Sequence, residues 1–115
     1  MKVTTTINDI CSAVNGKLIT PADNPDIEIT NGYMCDLLSF VIGRAPEGAC
    51  WITVIGNLNT IAVAVLAELP CIILAENAAL DDDAKVRAEQ NGIAVICSEK
   101  NSFECAVALG KLLGK

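Results

Sequence analysis

From residue 49 onward the chain alternates short, continuous apolar runs with longer segments of helical period. The run over 49–55 carries Trp51, Ile52, Val54 and Ile55, and Gly56-Asn57 closes it. Pro70 opens a second run, Cys71-Ile72-Ile73-Leu74, and Asn91-Gly92 precedes a third over 93–97. Runs this short, bounded by turn residues and without polar alternation, predict strands buried on both faces. Between them the spacing predicts an apolar helix over 59–69 and a charged helix over 80–90. A last helix over 102–113 follows, where Asn101 with Glu104 makes a capping box. Strand–helix alternation of this kind predicts a parallel sheet with right-handed crossovers.

The first 48 residues follow a different rhythm. Ile7, Ile10, Cys11 and Val14 recur at helical spacing and predict an amphipathic helix over 8–14. Thr6 with Asp9 offers its cap, and Gly16 after Asn15 its stop. A short strand follows over 17–20, then a loop, Pro21-Ala22-Asp23-Asn24-Pro25. Ile27 and Ile29 alternate with Asp26, Glu28 and Thr30, which predicts a half-exposed strand. A helix over 36–42 begins at Asp36 and ends at Gly43, and Pro46-Glu47-Gly48 turns the chain. With no linker rich in Gly, Ser or Pro, the expectation is one domain over 1–115. Its class is α/β, a three-layer module on a parallel sheet with a smaller N-terminal helix–strand–strand–helix part.

Composition narrows the functional classes. Hydrophobic residues make up 52% of the chain but aromatics only 3%, so the core must be aliphatic. The net charge is −6, and the 8 basic residues are scattered, so the basic patch that nucleic acid requires is missing. No apolar stretch reaches the roughly 18 residues of a membrane span. The start, Lys2 followed by Thr4, Thr5 and Thr6, does not read as a signal peptide, which predicts a cytoplasmic protein.

Six cysteines stand in the chain, none paired as Cys-x-x-Cys, and there is no histidine. Zinc-ribbon, thioredoxin and mixed Cys/His metal sites therefore have no ligand set. The expectation is reduced, buried thiols, with no metal and no cofactor. Asp81-Asp82-Asp83 suits a helix start and lacks the alternating ligands of a calcium loop. The Gly43–Gly48 spacing is followed by Ala49-Cys50 where a phosphate loop needs Lys-Ser/Thr. Ser39 has no base to activate it, and Asp36 reads as favouring its own helix start. Cys35, at a helix start, is the one candidate for thiol chemistry, although Asp36 beside it opposes a thiolate. A small redox protein or enzyme using Cys35 is thus the alternative to a non-catalytic module.

The block Gly32-Tyr33-Met34-Cys35-Asp36-Leu37-Leu38-Ser39, followed by the turn Pro46-Glu47-Gly48-Ala49, resembles the DRTGG domain family. The likeness is to its small stand-alone members, related to the N-terminal, non-catalytic domain of HPr kinase/phosphorylase. Many relatives carry Gly-Asp-Arg-x-Asp-Ile at the next strand–helix turn. This chain keeps Gly56 and Ile61 there but has Asn57, Leu58 and Thr60. The resemblance implies a regulatory or interaction module, not an enzyme. It also implies that the unit can contribute to subunit association.

Crossover handedness brings the turns after parallel strands to one sheet edge, where ligands of open α/β sheets bind. A nucleotide or small anion is therefore expected near Gly32, Asp36, Gly56, Asn57 and Ser98, with Asn57 or Asn59 otherwise serving as a helix cap. The helix over 59–69 is apolar nearly all round, from Ile61 through Ala67, and needs cover on more than one side. That predicts a homodimer. A partner protein, if the module has one, is not legible in the sequence.

Overall fold

The structure is a computed structural model and describes residues 4–115. Five strands form one sheet: β1 (Lys17–Thr20), β2 (Asn31–Met34), β3 (Ala49–Thr53), β4 (Cys71–Leu74) and β5 (Ala94–Cys97). The helices are α1 (Ile7–Ala13), α2 (Leu38–Arg44), α3 (Leu58–Leu66), α4 (Asp82–Gln90) and α5 (Ser102–Leu112). Strand order is β1-β5-β4-β3-β2. The β2, β3, β4 and β5 pairings are parallel, whereas β1 runs antiparallel to β5. The expected three-layer α/β architecture is present, on a mixed sheet.

Strand periodicity divides the core in two. In β4, Cys71 and Ile73 enter one apolar cluster with Ile10, Ile52 and Ile96. Ile72 and Leu74 enter the other with Trp51, Ile61 and Val95. Helices α1 and α5 cover the first face, and α2, α3 and α4 the second. All four residues of β4 are buried, which is why its sequence shows no alternation. The Thr6–Asp9 and Asn101–Glu104 capping boxes both form, and each satisfies otherwise orphaned helix-start donors.

Two expectations need correction. Residues 27–30 are not a strand. Ile27 and Ile29 instead pack against the first core, and Ile29 N–H donates to Thr5 O at 2.9 Å. Their alternation reflects side chains plugging the bottom of the core. The strand lies at Asn31–Met34, a sequence of weak β propensity held by parallel pairing to residues 49–52. Second, α2 starts at Leu38, not at Asp36. The N-terminal helix–strand–strand–helix part joins the same sheet, with β1 and β2 at its opposite edges.

All six cysteines are free. Cys50 and Cys71 face each other in register on β3 and β4, and the Cys50 thiol donates to Cys71 Sγ at 3.5 Å. That hydrogen bond, with burial added, pushes the Cys50 pKa well above its ordinary 9.0. Burial raises Cys11, Cys97 and Cys105 as well. A thiol whose pKa is higher folded than unfolded stabilises the fold fully below the unfolded value. That stabilisation is lost as pH rises through the folded value. The melting temperature should therefore fall above about pH 9, and less steeply in Cys50→Ala. Equal slopes for the two proteins in calorimetry between neutral and alkaline pH would refute this.

Candidate functional site

The ends of β2, β3, β4 and β5 lie along one sheet edge because the four strands are parallel. Asp36 sits there, in the link from β2 to α2. Its Oδ1 accepts from Thr53 Oγ1 at 2.6 Å and from Val54 N–H at 3.1 Å. The N-cap of α2 is Leu37, with no side-chain cap. Asp36 therefore does not serve its own helix, as the sequence led one to expect. It ties the turn after β2 to the end of β3.

The next turn is closed by the chain itself. Asn57 caps α3, its Oδ1 accepting from Thr60 N–H at 3.1 Å, and Thr60 Oγ1 donates to Ile55 O at 2.7 Å. Gly56 O accepts from Asp81 N–H at 2.8 Å. A Cβ on Gly56 would lie 2.1 Å from Ala79 O. Backbone approach is what demands glycine here, but the backbone that approaches is residues 79–80 and not a ligand.

Asp36, Gly56 and Asn57 thus share the rim around the end of β3. The other two expected residues do not join them. Ser98 is buried at the end of β5, where its hydroxyl donates to Val14 O at 2.7 Å and accepts from Lys100 N–H at 3.1 Å. Gly32 lies within β2 against α5, and a Cβ there would be 2.8 Å from Leu109 Cδ2. It lines a groove of about 300 Å3 beside the β2 edge, together with Tyr33, Met34, Leu109 and Leu113.

The strand-end edge is acidic. Asp81 precedes α4, and Asp82 and Asp83 occupy its first turn. The start of α5 holds its capping box and also receives Glu76, whose Oε2 accepts from Ser102 N–H at 3.3 Å. The starts of α3 and α5, which could have cradled a phosphate, are thus occupied by the protein's own side chains. Among the described residues, every buried side-chain nitrogen or oxygen has a partner. None of those residues forms a group of three or more ligands fit for a metal ion. The Cys35 thiol lies 3.8 Å from Leu37 O, and its carbonyl accepts from Trp51 Nε1 at 2.8 Å. Among the described residues, no hydrogen bond joins that thiol to a base. Among the described residues, no helix is long and apolar enough to cross a membrane.

One cavity has no counterpart in the sequence reading. At the opposite edge, where the parallel strands begin, a cleft of about 400 Å3 opens between residues 22–27, 47–48, 64–70 and 91–93. Its residues come from four separate segments, so no local motif announces it. The turns at 21–25, 46–48 and 91–92 are legible in the sequence, but not their meeting.

The chain aligns with a TM-score of 0.77 to a crystal structure from Clostridium perfringens. That structure holds the CBS and DRTGG domains of the regulatory region of a pyrophosphatase, complexed with the activator diadenosine tetraphosphate. The fold is DRTGG/CBS-like. Sequence identity is 13%, and the alignment covers 95% of this chain and 47% of the other, so the chain spans about half its length. Likeness at this identity is likeness of fold, and function has to be argued from the site. No family model matches the chain, and no curated protein matches it.

Proposed function

We propose that the chain is a non-catalytic regulatory module that pairs with a second copy of itself and senses a small ligand at the strand-end rim. The observation carrying this reading is the apolar surface at the β2 end of the sheet. Met34, Leu37, Phe40 and Ile42 are 52%, 54%, 40% and 50% exposed there, beside a strand with a neighbour on one side only. Several large apolar side chains exposed beside an unpaired strand edge mark an interaction surface. The apolar helix α3 adds Val65 and Leu66, the latter 71% exposed. Light scattering at micromolar concentration should give twice the chain mass, and Phe40→Glu with Ile42→Glu should give the chain mass. A monomeric parent protein would end the self-association reading.

The ligand reading rests on the rim of Asp36, Gly56 and Asn57 and on the regulatory role of the structural neighbour. The carboxylates around the rim oppose a polyphosphate and favour a neutral or singly charged group. Titration with adenosine should move the amides of residues 54–57, and diadenosine tetraphosphate should move them no further at equal concentration. Absence of both responses leaves a pure interaction module. The Cys35 alternative has no comparable support, since nothing activates the thiol.

A further inference from the structure

The cleft at the strand-start edge has the size of a small-ligand site. Its floor is apolar, formed by Ile27, Ala64, Leu69, Pro70 and Ile93. Its rim carries three carboxylates, Asp23, Glu47 and Glu68, and, among the described residues, no lysine or arginine. The backbone contributes the same sign. Both α3 and α4 end at this edge, which places the negative ends of two helix dipoles there. Glu68 reaches the rim from a left-handed backbone, φ 56°, just past the α3 C-cap, where glycine is the usual residue.

We propose that this cleft binds an aliphatic ammonium ion, its hydrocarbon body on the floor and its amine among Asp23, Glu47 and Glu68. The floor excludes a bare metal ion, which needs oxygen, nitrogen or sulfur ligands around it. The rim excludes an anion and gives a neutral molecule no advantage. A long cation with a hydrocarbon stem matches both parts, as the side chains of lysine do on protein surfaces. The ligand is a free small amine, since a cleft of about 400 Å3 suits a small molecule. This inference is independent of the rim at the opposite edge.

The test is amide shift mapping with 1,5-diaminopentane as probe and 1,5-pentanediol as its neutral counterpart. The diamine should shift Gly48, Leu69, Gly92 and Ile93 saturably by about 20 mM, above the millimolar Kd of a shallow site. The diol should leave those amides in place. Among the described residues neither Glu47 nor Glu68 has a side-chain hydrogen-bond partner, and both are exposed, so the double variant Glu47→Gln, Glu68→Gln should keep its fold. Its affinity for the diamine should drop about tenfold, two exposed ion pairs' worth. Raising salt from about 0.05 to about 0.5 M should weaken the parent's binding several-fold. Equal response to diol and diamine, unchanged affinity in the double variant, or shifts centred on Asp81–Asp83 would each overturn the assignment.

Discussion

Trp51→Ala should cost about 3–5 kcal/mol in urea unfolding. Trp51 is fully buried in the second core, among Val41, Ile61, Leu74 and Val95. It is the largest side chain in a core otherwise built from aliphatic residues, so its removal leaves a void that small neighbours cannot fill. The indole also donates to Cys35 O at 2.8 Å, and that carbonyl would lose its side-chain partner. Domains of this size are commonly stable by about 5–15 kcal/mol, so the variant should approach the unfolding threshold at room temperature. Trp51→Phe should recover more than half of the loss, because the ring volume returns but the N–H does not. A loss below about 1 kcal/mol for Trp51→Ala would contradict the packing described here.

Gly56→Ala should cost about 3 kcal/mol, a large effect for one methyl group. The added Cβ would meet Ala79 O at 2.1 Å, Ala79 C at 3.0 Å and Leu80 Cα at 3.1 Å. These are backbone atoms, and they lead directly into α4, whose N-cap Asp81 donates its N–H to Gly56 O. Neither side can withdraw without breaking that hydrogen bond. The loss should appear in urea unfolding, with early amide exchange at the start of α4. A cost below about 1 kcal/mol would show that the segment over 79–80 yields easily.

The strand–helix order after residue 49 was legible because each buried strand is a short apolar run between turn residues. Capping was legible too, since Thr6–Asp9 and Asn101–Glu104 act within one helical turn. Residues 27–34 were misread because alternation signals a side chain's direction and not a hydrogen-bonded ladder. Ile27 and Ile29 point inward from a loop, whereas Asn31-Gly32-Tyr33-Met34 forms a strand through its partner alone. Asp36 was placed correctly at the strand-end edge but given the wrong partner, because Thr53 and Val54 lie 17 and 18 residues away in sequence. The Ser98 hydroxyl is engaged with Val14, 84 residues distant, which no local pattern encodes. The cleft escaped for the same reason, being assembled from four segments.

The antiparallel seat of β1 beside β5 fixes a timetable for the chain. Lys17 pairs with Cys97, and Thr20 with Val95, so the earliest strand of this sheet waits for the last. Contacts that span so much of the sequence close late and slow the final step of folding. Thr20 meanwhile keeps an unmet appointment, since its hydroxyl donates to Ile93 O at 2.7 Å and accepts from Val95 N–H at 3.0 Å only once β5 exists. Synthesis runs from one end of the sequence to the other, but this sheet is completed by bringing the two ends together.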